Sequence, residues 1–227
     1  MCEKCNGNLW IPHHVEYANG TFYEYVERCS CADKTTTEKN LKSKGITNFD
    51  AKFSDFETFN EGELSNAKKK GYEYVKNFKK NENARCNSFF ICGKSGTGKT
   101  QLTSIMVNVL KDNGVIIKQL GYRDDIEPLK NLKVVDHLAY ETKMNGYKNC
   151  RLLWIDDLAK GGVTQADVNL LYEIINYRYV NQKPMIITSE YNPMKLAEVD
   201  EAISGRIYQM SKDNIVVLEN TKNYRFR

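Results

Sequence analysis

Eight consecutive residues, 93 to 100, have the sequence of a phosphate-binding loop and match G-x-x-x-x-G-K-[ST] at every defined position. They are Gly93, Lys94, Ser95, Gly96, Thr97, Gly98, Lys99 and Thr100. Glycines let the backbone turn its N–H groups toward phosphate oxygens, and the N-terminus of a following helix adds positive charge. We therefore expect ATP to bind here, with Lys99 at the β- and γ-phosphates and Thr100 on Mg²⁺.

Two adjacent carboxylates, Asp156 and Asp157, follow the apolar segment 152–155, which has the pattern of a buried strand. A nucleotide site needs such a group beside the phosphate loop. We expect Asp156 to hold the magnesium ion and Asp157 to orient or deprotonate the attacking water. The alternative is that the pair ends a strand and caps a helix. Because aspartate reaches less far than glutamate, modest turnover is expected.

Four cysteines near the N-terminus are spaced as metal ligands in two close pairs. They are Cys2, Cys5, Cys29 and Cys31. Four thiolates brought together by a β-hairpin, with Asn19-Gly20 as its turn, make a tetrahedral zinc site. A segment this short buries too little apolar surface to fold alone, so a metal is the expected source of stability. His13 or His14 could replace one cysteine, and ordinary reduced thiols are the alternative.

These motifs divide the chain into three predicted parts. Residues 1–33 form a small zinc-binding β-rich module, residues 34–52 a linker, and residues 53–227 an α/β domain with a parallel sheet flanked by helices. The expected strands are Ser88–Cys92, Val115–Leu120, Arg151–Ile155, Pro184–Thr188 and Asn214–Leu218. The expected helices include Gln101–Lys111, Asp167–Val180 and Met194–Ala202.

Composition narrows the classes of function. The chain has 227 residues and a net charge of +4, which permits contact with nucleic acid without requiring it. No stretch approaches the roughly 18 apolar residues of a membrane span, and the start is unlike a secretory signal. We expect a cytoplasmic protein with no membrane contact, in which a disulfide framework does not form.

From about Phe53 onward, the chain resembles the DnaC and DnaI type of bacterial and phage helicase loaders, a branch of the AAA+ ATPases. The resemblance rests on four segments in order: Gly98-Lys99-Thr100, Asp156-Asp157-Leu158, residues 185–189, and Ile203-Ser204-Gly205-Arg206-Ile207. It implies a P-loop AAA+ ATPase domain that uses ATP and Mg²⁺ and self-associates. It also implies that the chain loads a hexameric replicative helicase onto single-stranded DNA, with the zinc module contacting the helicase.

The resemblance implies two further site positions. A polar sensor ends the strand after the Asp-Asp motif, typically as Thr-Ser-Asn. This chain departs from that pattern with Glu190 at the third place, so the joint sensor candidates are Ser189, Glu190 and Asn192. Arg206 lies where loaders carry an arginine that reaches the nucleotide of the neighbouring subunit. The alternative for Arg206 is a surface charge.

Lysines and aromatic residues alternate between Asn66 and Arg85. Such a segment could follow a DNA backbone while its rings stack on bases. The alternative is an amphipathic helix whose aromatic residues pack inward and whose lysines are solvated. We favour the amphipathic helix, so that DNA binding is expected mainly from the resemblance.

Two other functions remain open at this point. One is a transposition-helper ATPase, which has no special need for a zinc module. The other is an adaptor that binds ATP without hydrolysing it. Zinc content separates the first from a loader, and hydrolysis that depends on Asp157 separates the second.

Overall fold

The structure is a computed structural model that describes residues 3–5, 10–16, 22–29, 31, 32, 38, 51–223 and 225. Strands β1 (Trp10–Glu16) and β2 (Phe22–Arg28) form an antiparallel hairpin in which Trp10 lies opposite Arg28. The expected Asn19-Gly20 turn and the expected ligand Cys2 lie outside the described residues. Two strands of β-branched and aromatic residues thus form the predicted hairpin.

Helices and parallel strands alternate through the rest of the described chain. A short 3-10 helix (Phe53–Asp55) comes first. It is followed by α1 (Gly62–Asn81), β3 (Phe89–Gly93), α2 (Lys99–Asp112), β4 (Ile117–Gly121), α3 (Tyr122–Val135), α4 (His137–Asn149), β5 (Leu152–Leu158), α5 (Gln165–Val180), β6 (Met185–Ser189), α6 (Pro193–Val199), α7 (Glu201–Ser211) and β7 (Ile215–Leu218).

The five strands β3 to β7 form one parallel sheet in the order β4-β5-β6-β3-β7. Strand β6 therefore lies between β3, which leads into the phosphate loop, and β5, which carries the aspartate pair. Cys92 is paired with Ser189, and Leu158 is paired with Ser189 from the other side. This register brings the carboxyl ends of the three strands together at one edge of the sheet.

Helices cover both faces of this sheet, because alternate strand residues point to opposite sides. Phe89 and Ile91 belong to the apolar cluster beneath α1 and α2. Phe90 and Cys92 belong to the cluster formed with α3 to α7. Cys92 and Cys150 are buried, and burial raises the pKa of the Cys92 thiol to about 11. The parallel sheet between two helical layers confirms the predicted α/β class.

Helix α1 confirms part of the amphipathic interpretation of the lysine-rich segment. Tyr74 and Phe78 are buried against the sheet, and the Tyr74 hydroxyl donates to the carbonyl of Asn87 at 2.8 Å. The interpretation holds only in part, because Tyr72 is 54% exposed, and Lys68 and Lys70 donate to the backbone carbonyls of Phe56 and Ile215 rather than extending into solvent. The two buried rings are therefore not available to stack on bases.

The helix predicted over 194–202 is wrong in its extent, because two helices occupy this region. Asp200 adopts an extended conformation between α6 and α7, and its carboxylate accepts a hydrogen bond from the Ile203 amide at 2.7 Å. Such a side-chain cap starts a new helix. In the part of the chain that the structure describes, no helix is both long enough and apolar enough to cross a membrane.

Candidate nucleotide-binding site

The phosphate loop joins β3 to α2 and depends on glycine at three turns. Gly93, Gly96 and Gly98 have φ angles of 152°, 76° and 88°, a region that other residues rarely adopt. At Gly93 an added Cβ would lie 2.5 Å from the carbonyl oxygen of Leu218 on β7. The loop, the first turn of α2 and three residues from elsewhere enclose a cavity of about 210 Å³. Glycine is thus required where the loop bends beside the sheet.

Lys99 lies folded into this loop. Its Nζ donates at 2.7 Å to the carbonyls of both Gly93 and Lys94, and only 4% of the residue is exposed. Burial lowers the pKa of the ammonium group, while Glu190 and Asp157 act in the opposite direction. A buried ammonium held by neutral carbonyls favours an anionic partner, because its charge is not neutralised by the loop.

Asp156 lies at the centre of a hydroxyl network. One carboxylate oxygen accepts from the Thr188 hydroxyl at 2.6 Å and from the Thr100 hydroxyl at 3.1 Å. Burial raises the pKa of this carboxyl above 3.8, although the bond from Thr188 opposes the shift. The neighbouring oxygens of Thr100 and Asp156 match the ligands that Mg²⁺ prefers. These two residues fit the predicted magnesium position.

Asp157 is oriented by its own backbone. It has a φ angle of 55°, and its amide donates to the Thr188 hydroxyl at 2.8 Å. Its carboxylate accepts from the Lys160 ammonium at 2.8 Å and faces the cavity. Thr188 therefore connects both aspartates, Asp156 through the carboxylate and Asp157 through the backbone.

The three joint sensor candidates lie in different environments. The Ser189 hydroxyl is buried and bonded to backbone atoms, because it donates to Leu158 at 2.8 Å and accepts from Tyr191 at 3.0 Å. Asn192 caps α6. Glu190 lies 3.4 Å from the Lys160 ammonium, which lines the cavity. Of the three, Glu190 is the candidate that contacts a residue lining the cavity.

Thr188 is a site residue that lies outside the set of candidates predicted from the sequence. It lies one position before Ser189 in the same strand, and neighbouring strand residues point to opposite faces. The family pattern Thr-Ser-Asn draws attention to the end of the strand. The alternation of β6 is the signal that could have identified Thr188, since its hydroxyl shares a face with the hydroxyl network around Asp156.

Arg206 lies on α7, apart from the residues that line the cavity. Its guanidinium donates to Asn176 at 2.9 Å, to the Ala202 carbonyl at 2.9 Å and to the Tyr172 hydroxyl at 3.2 Å. The same group stacks on the Tyr172 ring at 4.9 Å. The structure therefore does not bring Arg206 to the phosphate loop of its own chain, and its predicted role across a subunit interface stays a prediction.

The C-terminal segment also reaches the cavity, although no motif or periodic pattern in the sequence predicts this contact. The Glu63 carboxylate on α1 accepts from the Asn220 amide at 3.1 Å and from the Thr221 hydroxyl at 2.8 Å. Beyond this anchor, the Asn223 side chain lies against Gly96, and Arg225 lines the cavity. A residue of α1 thus holds the tail beside the phosphate loop.

Three of the four predicted zinc ligands lie together. The sulfur atoms of Cys5, Cys29 and Cys31 are all within 4.8 Å of one another, and those of Cys5 and Cys31 are 3.3 Å apart. Tetrahedral zinc with bonds of about 2.3 Å places sulfur atoms about 3.8 Å apart. His13 and His14 instead pair with glutamates of β2. The described cysteines therefore fit a structural zinc site.

Comparison with known proteins identifies the family. The family model described as the bacterial DnaA ATPase domain matches residues 50–211. The chain belongs to this family. Among its relatives is the Bacillus subtilis (strain 168) protein YqaM, which is 32% identical over 208 residues. That alignment covers 87% of this chain and 65% of YqaM, so the chain spans less than two thirds of that relative.

Two of the solved structures that share the fold are those of DnaI and of the DnaC helicase loader. The structure of DnaI has a TM-score of 0.63 and 21% identity, and the match covers 78% of this chain and 92% of DnaI. The structure of the DnaC helicase loader has a TM-score of 0.62 and 23% identity, and the match covers 74% of this chain and 96% of DnaC. The AAA+ fold and the resemblance to loaders of the DnaC and DnaI type, both expected from the sequence, are confirmed.

Proposed function

We propose that this chain binds ATP with magnesium in the cavity of the phosphate loop. Lys99 exchanges the Gly93 and Lys94 carbonyls for the β- and γ-phosphates, and backbone amides of residues 95–98 surround the phosphate oxygens. Thr100 and Asp156 hold the magnesium ion, which neutralises phosphate charge when bound. The observation that carries this proposal is that Lys99, Thr100 and Asp157 line one cavity, and that the Thr100 hydroxyl donates to the Asp156 carboxylate beside it.

We infer hydrolysis of the bound ATP because the Asp157 carboxylate faces the cavity. Its carboxylate accepts a proton from water as the water oxygen bonds to the γ-phosphorus. The bond between that phosphorus and the bridging oxygen breaks, and its electron pair leaves with ADP. Thr188 fixes both aspartates, Glu190 serves as the sensor at the cavity, and Ser189 holds the strand end. The products are ADP and inorganic phosphate.

Single-turnover hydrolysis by Asp157→Asn tests this assignment. The variant should bind ATP as wild type does but hydrolyse it about 100-fold more slowly or worse, because a general base contributes on this order. Asp124→Asn, at an exposed carboxylate of α3, is the matched control and should hydrolyse normally. Wild-type rates in Asp157→Asn would contradict the role of Asp157. Binding without hydrolysis in the wild type would instead support the adaptor alternative.

Arg206 is the proposed link between subunits. It is held on α5 and α7 away from its own loop, as an arginine that acts on a neighbouring nucleotide should be. Arg206→Ala should retain ATP binding and lose hydrolysis, and mixing it with Lys99→Ala subunits should restore part of the activity. Arg85→Ala controls for lost stacking, because Arg85 lies 5.2 Å from the Tyr179 ring on the same surface. If Arg206→Ala hydrolyses ATP at the wild-type rate, Arg206 is only a surface charge.

The cellular role that we propose is ATP-dependent loading of a hexameric replicative helicase onto single-stranded DNA. The AAA+ fold shared with the DnaC helicase loader, together with the Arg206 surface, supports it. The hairpin offers the helicase contact, because Trp10, Phe22 and Val26 are exposed and lie on one face of the β1–β2 ribbon. Aromatic and aliphatic side chains of this kind form the energetic centres of protein interfaces.

Helicase loading onto closed circular single-stranded DNA is the direct test. A replicative helicase of the same cell or phage should become DNA-bound in the presence of this chain and ATP. Phe22→Ser should weaken helicase binding, whereas Tyr23→Ser, on the opposite face of the hairpin, should have a small effect. The proposal would be contradicted if the helicase becomes DNA-bound to the same extent without this chain. It would also be contradicted if the two substitutions weaken helicase binding equally.

A further inference from the structure

Lys160 is a charged residue of the cavity to which the proposed ATPase mechanism gives no role. Its ammonium lies 2.8 Å from the Asp157 carboxylate and 3.4 Å from that of Glu190. It also lines the same cavity as the phosphate loop. One ammonium therefore pairs with both the proposed general base and the proposed sensor.

The backbone around Lys160 is unusual. Asp157 and Ala159 have φ angles of 55° and 65°, and Gly161 and Gly162 have φ angles of 86° and 99°. Non-glycine residues in this region are uncommon, and they cluster at sites where the surrounding structure imposes them for function. The Lys160 amide donates to the Asp157 carbonyl at 3.1 Å. The turn thus directs the Lys160 side chain back over the carboxylate three residues earlier.

The charge of Lys160 acts on the whole cavity. Its hydrogen bond to Asp157 raises the pKa of the ammonium above 10.5, so Lys160 is positively charged at neutral pH. The same charge contributes to lowering the pKa of Lys99 and opposes the raised pKa of Asp156. The cavity therefore contains a second ammonium, which approaches from the Asp157 side.

We propose that Lys160 binds the γ-phosphate of ATP within its own subunit, and that its movement from Asp157 to the phosphate frees Asp157 to act as base. This inference rests on the proposed ATPase function. A phosphate oxygen carries more charge than a carboxylate, so the terminal phosphate of ATP competes for Lys160 where ADP has no equivalent group. The chain thereby distinguishes ATP from ADP, and the base is released when the γ-phosphate is present.

The step leaves the proton balance of hydrolysis unchanged. Lys160 stays protonated throughout and contributes charge, while Asp157 takes the proton of the attacking water. Asp157 releases that proton to solvent as inorganic phosphate departs, and Lys160, having lost its phosphate partner, returns to the Asp157 carboxylate.

Nucleotide affinities of Lys160→Met test the proposal without requiring hydrolysis. Affinity for the analogue AMPPCP with magnesium should fall about 10- to 100-fold, the range for losing a charge-assisted hydrogen bond. Affinity for ADP should stay within about twofold, since ADP lacks the group that Lys160 binds. Lys160→Arg should keep most of the discrimination, and Lys133→Met, at an exposed lysine of α3, should behave as wild type.

Several outcomes of these measurements would overturn the role of Lys160. Equal losses for AMPPCP and ADP would indicate a structural effect, unchanged affinities for both would exclude phosphate contact, and faster single-turnover hydrolysis would indicate that Lys160 only restrains Asp157. A wild-type chain that binds neither nucleotide would overturn the proposed function as well. Discrimination in the wild type that survives in Lys160→Met would overturn the Lys160 proposal alone.

Discussion

The N-terminal hairpin and the parallel sheet use similar residues in opposite ways. In β3 every residue from Phe89 to Cys92 is buried, whereas in the hairpin Phe22 is 73% exposed and Trp10 is 50% exposed. The buried side chains of the front segment include Cys5 and Cys29 instead. Aromatic and β-branched residues therefore hold the sheet together, while sulfur atoms occupy the interior of the front module.

This difference determines what stabilises each region. A two-stranded hairpin is marginally stable in water at best, because it has too little apolar surface to bury. The sheet is covered by apolar clusters on both faces. The same strand pattern therefore forms a core in one region and an exposed surface beside a cluster of cysteines in the other.

Loss of metal should have the largest effect, and it should be confined to the hairpin. Replacing Cys29 and Cys31 with serine should unfold residues 1–33, because zinc binding supplies on the order of 10 kcal/mol to small metal modules. ATP binding should persist, since the sheet has its own core. Metal analysis and NMR spectra of wild type and variant measure both effects, and a zinc-free wild type with an intact hairpin would contradict them.

Substitution of a core tryptophan should give the converse result. Trp154 is fully buried in β5, so Trp154→Ala should lower the free energy of unfolding by about 3–5 kcal/mol. Zinc content should stay unchanged. Trp10→Ala is the matched control in the exposed hairpin and should leave urea unfolding of the ATPase region almost unchanged. A similar loss in both variants would mean that the two regions share one core.

The Glu63 anchor should have a smaller effect. Burial acts to raise the pKa of Glu63, but hydrogen bonds from Thr221 and Asn220 outweigh it and lower the pKa below 4.5. The contribution of the anchor is therefore present above pH 4.5 and is lost as the pH falls through the lowered value. Glu63→Ala should weaken ATP binding a few-fold. Adding Arg225→Ala to this variant should weaken ATP binding little further. Additive losses would show that the anchor and Arg225 act independently.

The smallest effect on folding stability should come from the substitution Asp156→Asn. Burial raises its pKa above 3.8, so the folded chain favours the protonated form and loses stability as the pH rises through the raised value. Asp156→Asn removes this cost and should stabilise the nucleotide-free chain by about 1 kcal/mol at neutral pH, while weakening ATP binding in magnesium. Thermal unfolding with and without nucleotide checks both signs. Destabilisation at neutral pH would show that Asp156 supports the fold.

The sequence predicted local features well. Glycine spacing identifies the phosphate loop, and strand periodicity places the five parallel strands to within one or two residues at their starts, because both signals reside in short segments. The helix interruption at Asp200 was not predicted, since a single cap overrides the apolar pattern. The Glu63 anchor joins residues more than 150 positions apart, and such contacts leave no periodic signal.

The sequence also does not determine which of Thr188 and Ser189 contacts Asp156. Both carry hydroxyl groups at the end of β6, and the register of β6 against the bulged end of β5 decides which one reaches Asp156. Register follows from packing of the whole sheet. The sequence therefore identifies the segment that holds the sensor position without identifying the side chain that contacts the aspartates.

Titration of ATP with magnesium into wild type and Lys99→Ala tests the central claim most directly. We predict that wild type binds one ATP per chain, and that Lys99→Ala loses affinity by about 100-fold or more while its circular-dichroism spectrum stays unchanged. The reason is that Lys99 contacts loop carbonyls, which phosphate oxygens replace. A folded Lys99→Ala chain that binds ATP as tightly as wild type would contradict the account.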